Sequence, residues 1–124
     1  MSVLTPEQYR STETPNAVMT TLASPSQGSS GLSLWRVAMK GGAQGPLHVF
    51  DSEQIWTAVT GTASVELAGE TVHVGPGQTV VLPAGANRRI TAREDFTALV
   101  AGHGTARVSV VGDTSDRGTP PWIS

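Results

Sequence analysis

Few side chains in this sequence can do chemistry at neutral pH. Three histidines and no cysteine are present, which leaves proton transfer by imidazole open and excludes disulfides, thiolate nucleophiles and zinc–thiolate sites. His48 and Arg88 each lie in a stretch punctuated by Gly and Pro: GAQGPLHVFDSEQIWTAVTG from Gly42, and GQTVVLPAGANR from Gly77. A partly buried His48 can accept or donate a proton. Arg88 offers a fixed fork of donors that suits a carboxylate or an enolate. Gln54 both donates and accepts, so it can orient a carbonyl or hold an imidazole in one tautomer. His73, flanked by Val72 and Val74, reads as exposed and inert, and His103, between Gly102 and Gly104, reads as a loop residue. There is no Gly-x-Ser-x-Gly elbow. The glycine pairs Gly41-Gly42 and Gly102/Gly104 lack the strand–loop–helix setting of a phosphate loop.

The elements that must position these groups read as short strands. Fourteen Gly and eight Pro, with Val and Thr prominent, suit many strands joined by tight turns. Strands are expected at Leu32–Met39, around His48 and Phe50, and at Gln54–Thr60, Ala63–Ala68, Thr71–Val74, Thr79–Leu82, Arg88–Thr91, Phe96–Ala101 and Ala106–Val111. The continuous apolar run at Thr79–Leu82 suits a strand buried on both faces, and Ala68-Gly69-Glu70 reads as a hairpin turn. Residues 1–31 form a polar arm in which Ala17–Ala23 can make a strand. The barrel is expected over 32–112, followed by a tail over 113–124 that Trp122 and Ile123 can anchor. The arm can pack on its own barrel or reach a second subunit.

Composition excludes several classes of partner. The formal charge is −2 and charged residues make up 15%, with no basic run, so neither nucleic acid nor an anionic membrane is an expected partner. No apolar stretch approaches the roughly 20 residues of a membrane helix, and no signal peptide is visible. The expectation is a cytoplasmic, all-β, single-domain protein.

The two glycine-punctuated stretches resemble the paired motifs of the cupin superfamily, G-x5-H-x-H-x3-E-x6-G and G-x5-P-x-G-x2-H. Every spacing is kept, but of the usual ligand positions only His48 survives. Phe50 stands at the second His, Gln54 at the Glu and Arg88 at the last His. The resemblance implies a cupin-type double-stranded β-helix, a jelly-roll barrel, whose mouth gathers His48, Phe50, Gln54 and Arg88. Alternation along the strand adds Trp56, and Trp35 is a further candidate for substrate contact. A register slip by one would bring in Glu53, Ile55, Thr57 and Val59 instead; Gln54 fits the motif spacing, with Ile55 then covered by the arm.

One imidazole and a neutral amide fall short of the three or four donors a transition metal wants, so no metal or other cofactor is expected; His103 or Glu53 are the residues able to restore one. The expected activity is metal-independent acid–base chemistry of isomerase, cyclase or lyase type. Its substrate is a small apolar molecule with a carboxylate or oxyanion, as in secondary metabolism. His48, Arg88 and Gln54 would carry the reaction, and Phe50, Trp56 and Trp35 would line the site. Two alternatives stand beside it: a non-catalytic small-molecule-binding barrel, and a metal-dependent dioxygenase or isomerase with an unusual ligand set. His48 as a structural residue, Gln54 as a satisfied amide and both tryptophans as core are the plain readings of the same residues. A homodimer is expected by analogy with the fold.

Overall fold

The computed structural model describes residues 2–29, 31–113 and 115–124; Met1, Ser30 and Thr114, within the expected arm and tail, lie outside the described residues. Among the described residues, eleven strands form two antiparallel sheets. The larger carries β1 (Arg10–Glu13), β2 (Val18–Ala23), β3 (Leu32–Met39), β5 (Gln54–Thr60), β8 (Thr79–Leu82) and β10 (Phe96–His103), in the order β1-β2-β3-β10-β5-β8. The smaller carries β4 (His48–Phe50), β6 (Ala63–Leu67), β7 (Glu70–Val74), β9 (Arg88–Ala92) and β11 (Val108–Val110), in the order β11-β4-β9-β6-β7. The inner faces meet in one core, with Trp35, Val37 and Met39 of β3 and Ala98 and Val100 of β10 on one side. Val65 of β6 and Ile90 of β9 lie on the other. No helix among the described residues is long and apolar enough to cross a membrane.

Turn chemistry sets the strand connections. The β6–β7 hairpin turns on Ala68 and Gly69, both at positive φ (50° and 85°), the combination that a two-residue loop matched to strand twist requires. Gly61, at φ 72°, joins β5 to β6 where an added Cβ would meet the Asp95 carbonyl oxygen at 1.9 Å. Only glycine fits there.

Four expectations need correction. Thr79–Leu82 is an edge strand, paired among the described residues with β5 alone, and Val81 is 49% exposed while Leu82 is buried. Its apolar run reflects an outward surface that is itself apolar, not burial on both faces. His103 is not in a loop: it closes β10 opposite Leu32 and remains exposed. Ile55 is not covered by the arm but faces outward at 40% exposure. The last strand is shorter than expected, covering Val108–Val110.

The arm joins the larger sheet through β2, which pairs with β3, and β1 pairs outside it. The tail runs back across the same strands. Thr21 Oγ1 donates to the Trp122 carbonyl at 2.7 Å, Ser33 Oγ donates to the Ile123 carbonyl, and Ile123 is fully buried. Removing the buried Ser33 hydroxyl leaves the Ile123 carbonyl without its donor. Ser33→Ala should therefore lower unfolding free energy by roughly 1–2 kcal/mol, read from the urea midpoint at unchanged slope.

Candidate functional site

His48 and Phe50 alternate along β4, and both line a cavity of about 410 Å³ between the sheets. In the adjoining strand β9, Arg88 pairs directly with His48. Burial alternates along β9 from Arg88 through Ile90 to Ala92, which settles which of the two adjacent arginines turns inward. From the facing sheet, β5 contributes Gln54 and Trp56, and β3 contributes Trp35. Gln54 is 2% exposed, so the register is the one the motif spacing implies and not the slipped one. The six sequence candidates therefore meet in one cavity. Trp35 is a core residue as well, at 2% exposure.

Sequence reasoning missed part of the wall. Met19 of β2, the β1–β2 turn and the tail segment carrying Pro120 and Trp122 also line the cavity. Trp122, which the sequence marks as an anchor for the tail, is also part of this wall. Nothing local in the sequence signals these contacts, which the long-range return of the tail creates. Arg117 reaches the cavity too, but its guanidinium is paired with Asp113 at 2.8 Å and is exposed.

Polar bonding inside the cavity is incomplete in an informative way. Arg88 is 1% exposed, and none of its three guanidinium nitrogens has a hydrogen-bond partner among the described residues. Its charge sits over the Phe50 ring, with 4.6 Å from the guanidinium carbon to the ring centroid, a cation–π contact that offsets part of the desolvation. Burial pulls the Arg88 pKa down to about 10, which still leaves the group charged at neutral pH. Gln54 Oε1 accepts from the Trp56 indole N–H at 3.4 Å, and Gln54 Nε2 has no partner. Buried polar groups are nearly always satisfied, so two unsatisfied donors converging on one cavity point to an acceptor supplied from outside. No Asp or Glu lines the cavity among the described residues.

His48 is held in a defined state. Its Nδ1 lies 2.7 Å from the Pro46 carbonyl oxygen. A carbonyl only accepts, so the proton is on Nδ1 and Nε2 keeps its lone pair. Its ring packs edge-on against Phe50 with centroids 5.6 Å apart. Burial first, and the nearby Arg88 charge second, lower the His48 pKa, while the Pro46 bond works in the opposite direction. The net result is a neutral imidazole at neutral pH that can act as a base.

The donor set does not fit a transition metal. A first-row ion asks for three or four imidazole, thiolate or carboxylate ligands. Here one imidazole stands among a phenyl ring, an amide and a guanidinium whose charge repels a cation. No group of three or more His, Cys, Asp or Glu is placed to hold an ion among the described residues. His103 lies exposed at the end of β10 and Glu53 is exposed as well, so neither completes a ligand set.

The cupin domain family matches residues 35–102, more than half of the chain. The protein belongs to the cupin family. Its two antiparallel sheets are the jelly roll of that family. Several solved structures share the fold. The polyketide cyclase RemF from Streptomyces resistomycificus is 19% identical over 94% of this chain and 89% of that one, with a TM-score of 0.76. KdgF from a Halomonas species is 24% identical over 83% and 93%, with a TM-score of 0.71. Salicylate 1,2-dioxygenase from Pseudoaminobacter salicylatoxidans is 16% identical with a TM-score of 0.72; the match covers 84% of this chain but only 31% of the dioxygenase. No curated protein matches the chain.

Proposed function

We propose that the cavity is a metal-independent acid–base site for a small, flat, apolar molecule carrying one carboxylate or enolisable carbonyl. The observation that carries this reading is the buried Arg88 guanidinium without any partner among the described residues, beside the unpartnered Nε2 of Gln54, in a cavity that no carboxylate lines among those residues. A charge so placed is costly unless an anion completes it.

The chemistry follows from the neutral His48. Its Nε2 takes a proton from carbon next to a carbonyl, and the C–H electron pair moves into the new carbon–carbon double bond as the carbonyl pair shifts to oxygen. Arg88 and Gln54 Nε2 hold the resulting enolate oxygen. Returning the proton from the imidazolium to a different carbon gives isomerisation. Attack of the enolate carbon on a second carbonyl, or loss of a β-leaving group, gives cyclisation or elimination. Phe50, Trp56 and Trp35 form the flat apolar wall against which such a substrate lies. Substrates of this kind belong to secondary metabolism, and the likeness to a polyketide cyclase supports the reading only as far as the scaffold goes.

Turnover of a panel of aromatic carboxylic acids and linear poly-β-ketones tests the proposal. Because the base must be neutral and its pKa is lowered, kcat/KM should be flat near neutrality. It should fall as pH drops through a single limb below the ordinary histidine value of about 6.5. Exhaustive chelation should leave it unchanged. Activity lost on chelation and restored by added iron, manganese or zinc would overturn the proposal.

A further inference from the structure

Gln54 meets the cavity through its amide, and the end of that amide which faces inward decides what the site accepts. An amide carries an acceptor oxygen at one end and two N–H donors at the other. Two neighbours set the choice. Trp56, two residues along β5 on the same face, brings its indole N–H to Gln54 Oε1 at 3.4 Å. The bond is long, but an indole N–H only donates, so the reversed amide would set donor against donor. Gln54 Nε2 is left buried and without a partner among the described residues.

The second neighbour acts by what it lacks. Gly102 of β10 lies beside Gln54 in sheet register, and its backbone is outside the left-handed region that calls for glycine. A Cβ added there would come within 3.3 Å of both Gln54 Cγ and the Trp35 ring, so the missing side chain gives Gln54 its room. Leu82 of β8, fully buried, stands at the same level on the other side. The stem of Gln54 is held between β10 and β8, and Trp56 turns its amide.

We infer that Trp56 is a positioning residue which, acting through Gln54, makes the buried end of the cavity selective for hydrogen-bond acceptors. The inference rests on the oxyanion site proposed above and adds its selectivity. Arg88 offers donors only, and its guanidinium nitrogens are unpaired among the described residues. With Oε1 turned to the indole, Gln54 adds donors alone. A ketone, carboxylate or enolate oxygen accepts from both side chains. A hydroxyl in the same place brings a proton of its own that meets no acceptor, which makes it the weaker ligand. The lone pair of His48 Nε2 belongs, on that reading, to the C–H beside the carbonyl and not to the oxygen.

NMR titration of the full chain with a matched pair, 2-acetonaphthone and 1-(2-naphthyl)ethanol, tests this without depending on turnover. The wild type should bind the ketone roughly 10–100-fold more tightly than the alcohol. Trp56→Phe keeps a ring in the wall but removes the N–H, which frees the amide to turn its oxygen inward. The two affinities should then agree to within about threefold. Lost ring contact weakens both ligands alike, so the ratio reads the amide's orientation. In the wild type itself, the side-chain amide protons of Gln54 should move on addition of the ketone. A ketone-to-alcohol ratio that Trp56→Phe leaves unchanged, equal binding of the two by the wild type, or Gln54 amide protons indifferent to bound ketone would each overturn the inference while the oxyanion site stands. A wild type that binds neither the ketone nor any aromatic carboxylate removes the oxyanion site, and the inference with it.

Discussion

Arg88→Met should give a protein that is more stable than the wild type and no longer captures anions. The guanidinium is 1% exposed and unpartnered, and burial alone lowers its pKa to about 10. A folded-state pKa below the unfolded value means that the cost of keeping the group charged is fully present at every pH below about 10. It is relieved only as pH rises through that value. The cost is about 3 kcal/mol, and an unbranched thioether of similar length fills the same space without it. For a domain of this size that corresponds to a midpoint higher by roughly 10 °C. Binding should move the other way. Anionic aromatic compounds that raise the midpoint of the wild type should leave that of Arg88→Met unchanged, since the oxyanion has lost its counter-charge. The His48 titration should also shift up toward its ordinary value, because the Arg88 charge is one of the causes holding it down. Differential scanning calorimetry with and without ligand, together with NMR titration of the His48 ring, reads all three. A lower midpoint in the variant would mean that Arg88 already has a stabilising partner within the protein, and the anion-binding argument would fail.

Strand geometry explains which parts of this site the sequence discloses. Ligand positions in a cupin barrel are set by strand alternation and by glycine and proline turns, and those survive even where the ligands do not. Gly61 cannot become alanine without striking the Asp95 carbonyl, and Ala68-Gly69 closes a hairpin whose register fixes Leu67 opposite Glu70. Such constraints are local, so the spacing that aligns His48, Phe50, Gln54 and Arg88 is legible residue by residue.

What the sequence hides is non-local. RSTE at β1 has no apolar residue to announce a strand; it is one because it pairs with β2. The tail reaches the cavity through contacts such as Thr21 to Trp122, separated by 101 positions, which no periodicity encodes. The apolar run at Thr79–Leu82 and the outward Ile55 misled for one shared reason. Hydrophobicity need not mean burial within the chain, and here part of it lies on the sheet's outer surface.

His48→Gln should lower kcat by roughly 10²–10⁴-fold with little change in KM. Glutamine is close in length to histidine, and its amide N–H can still donate to the Pro46 carbonyl that the imidazole now reaches at 2.7 Å. It has no nitrogen that takes up a proton near neutrality. On the proposed reading Arg88 and Gln54, which the substitution does not touch, hold the substrate, so ligand-induced stabilisation should persist while product formation collapses. In the smaller His48→Gly, free imidazole added to the buffer should restore part of the turnover, with a pH dependence following the pKa of the added base. A merely structural His48 behaves otherwise: its loss costs about 1 kcal/mol of stability with its hydrogen bond, leaves turnover intact and gives imidazole nothing to rescue. A non-catalytic barrel is distinguished just as directly, because the wild type would then be stabilised by ligand yet release no product. Retention of wild-type kcat in His48→Gln, at unchanged folding, would remove the imidazole from the reaction and the proposed chemistry with it.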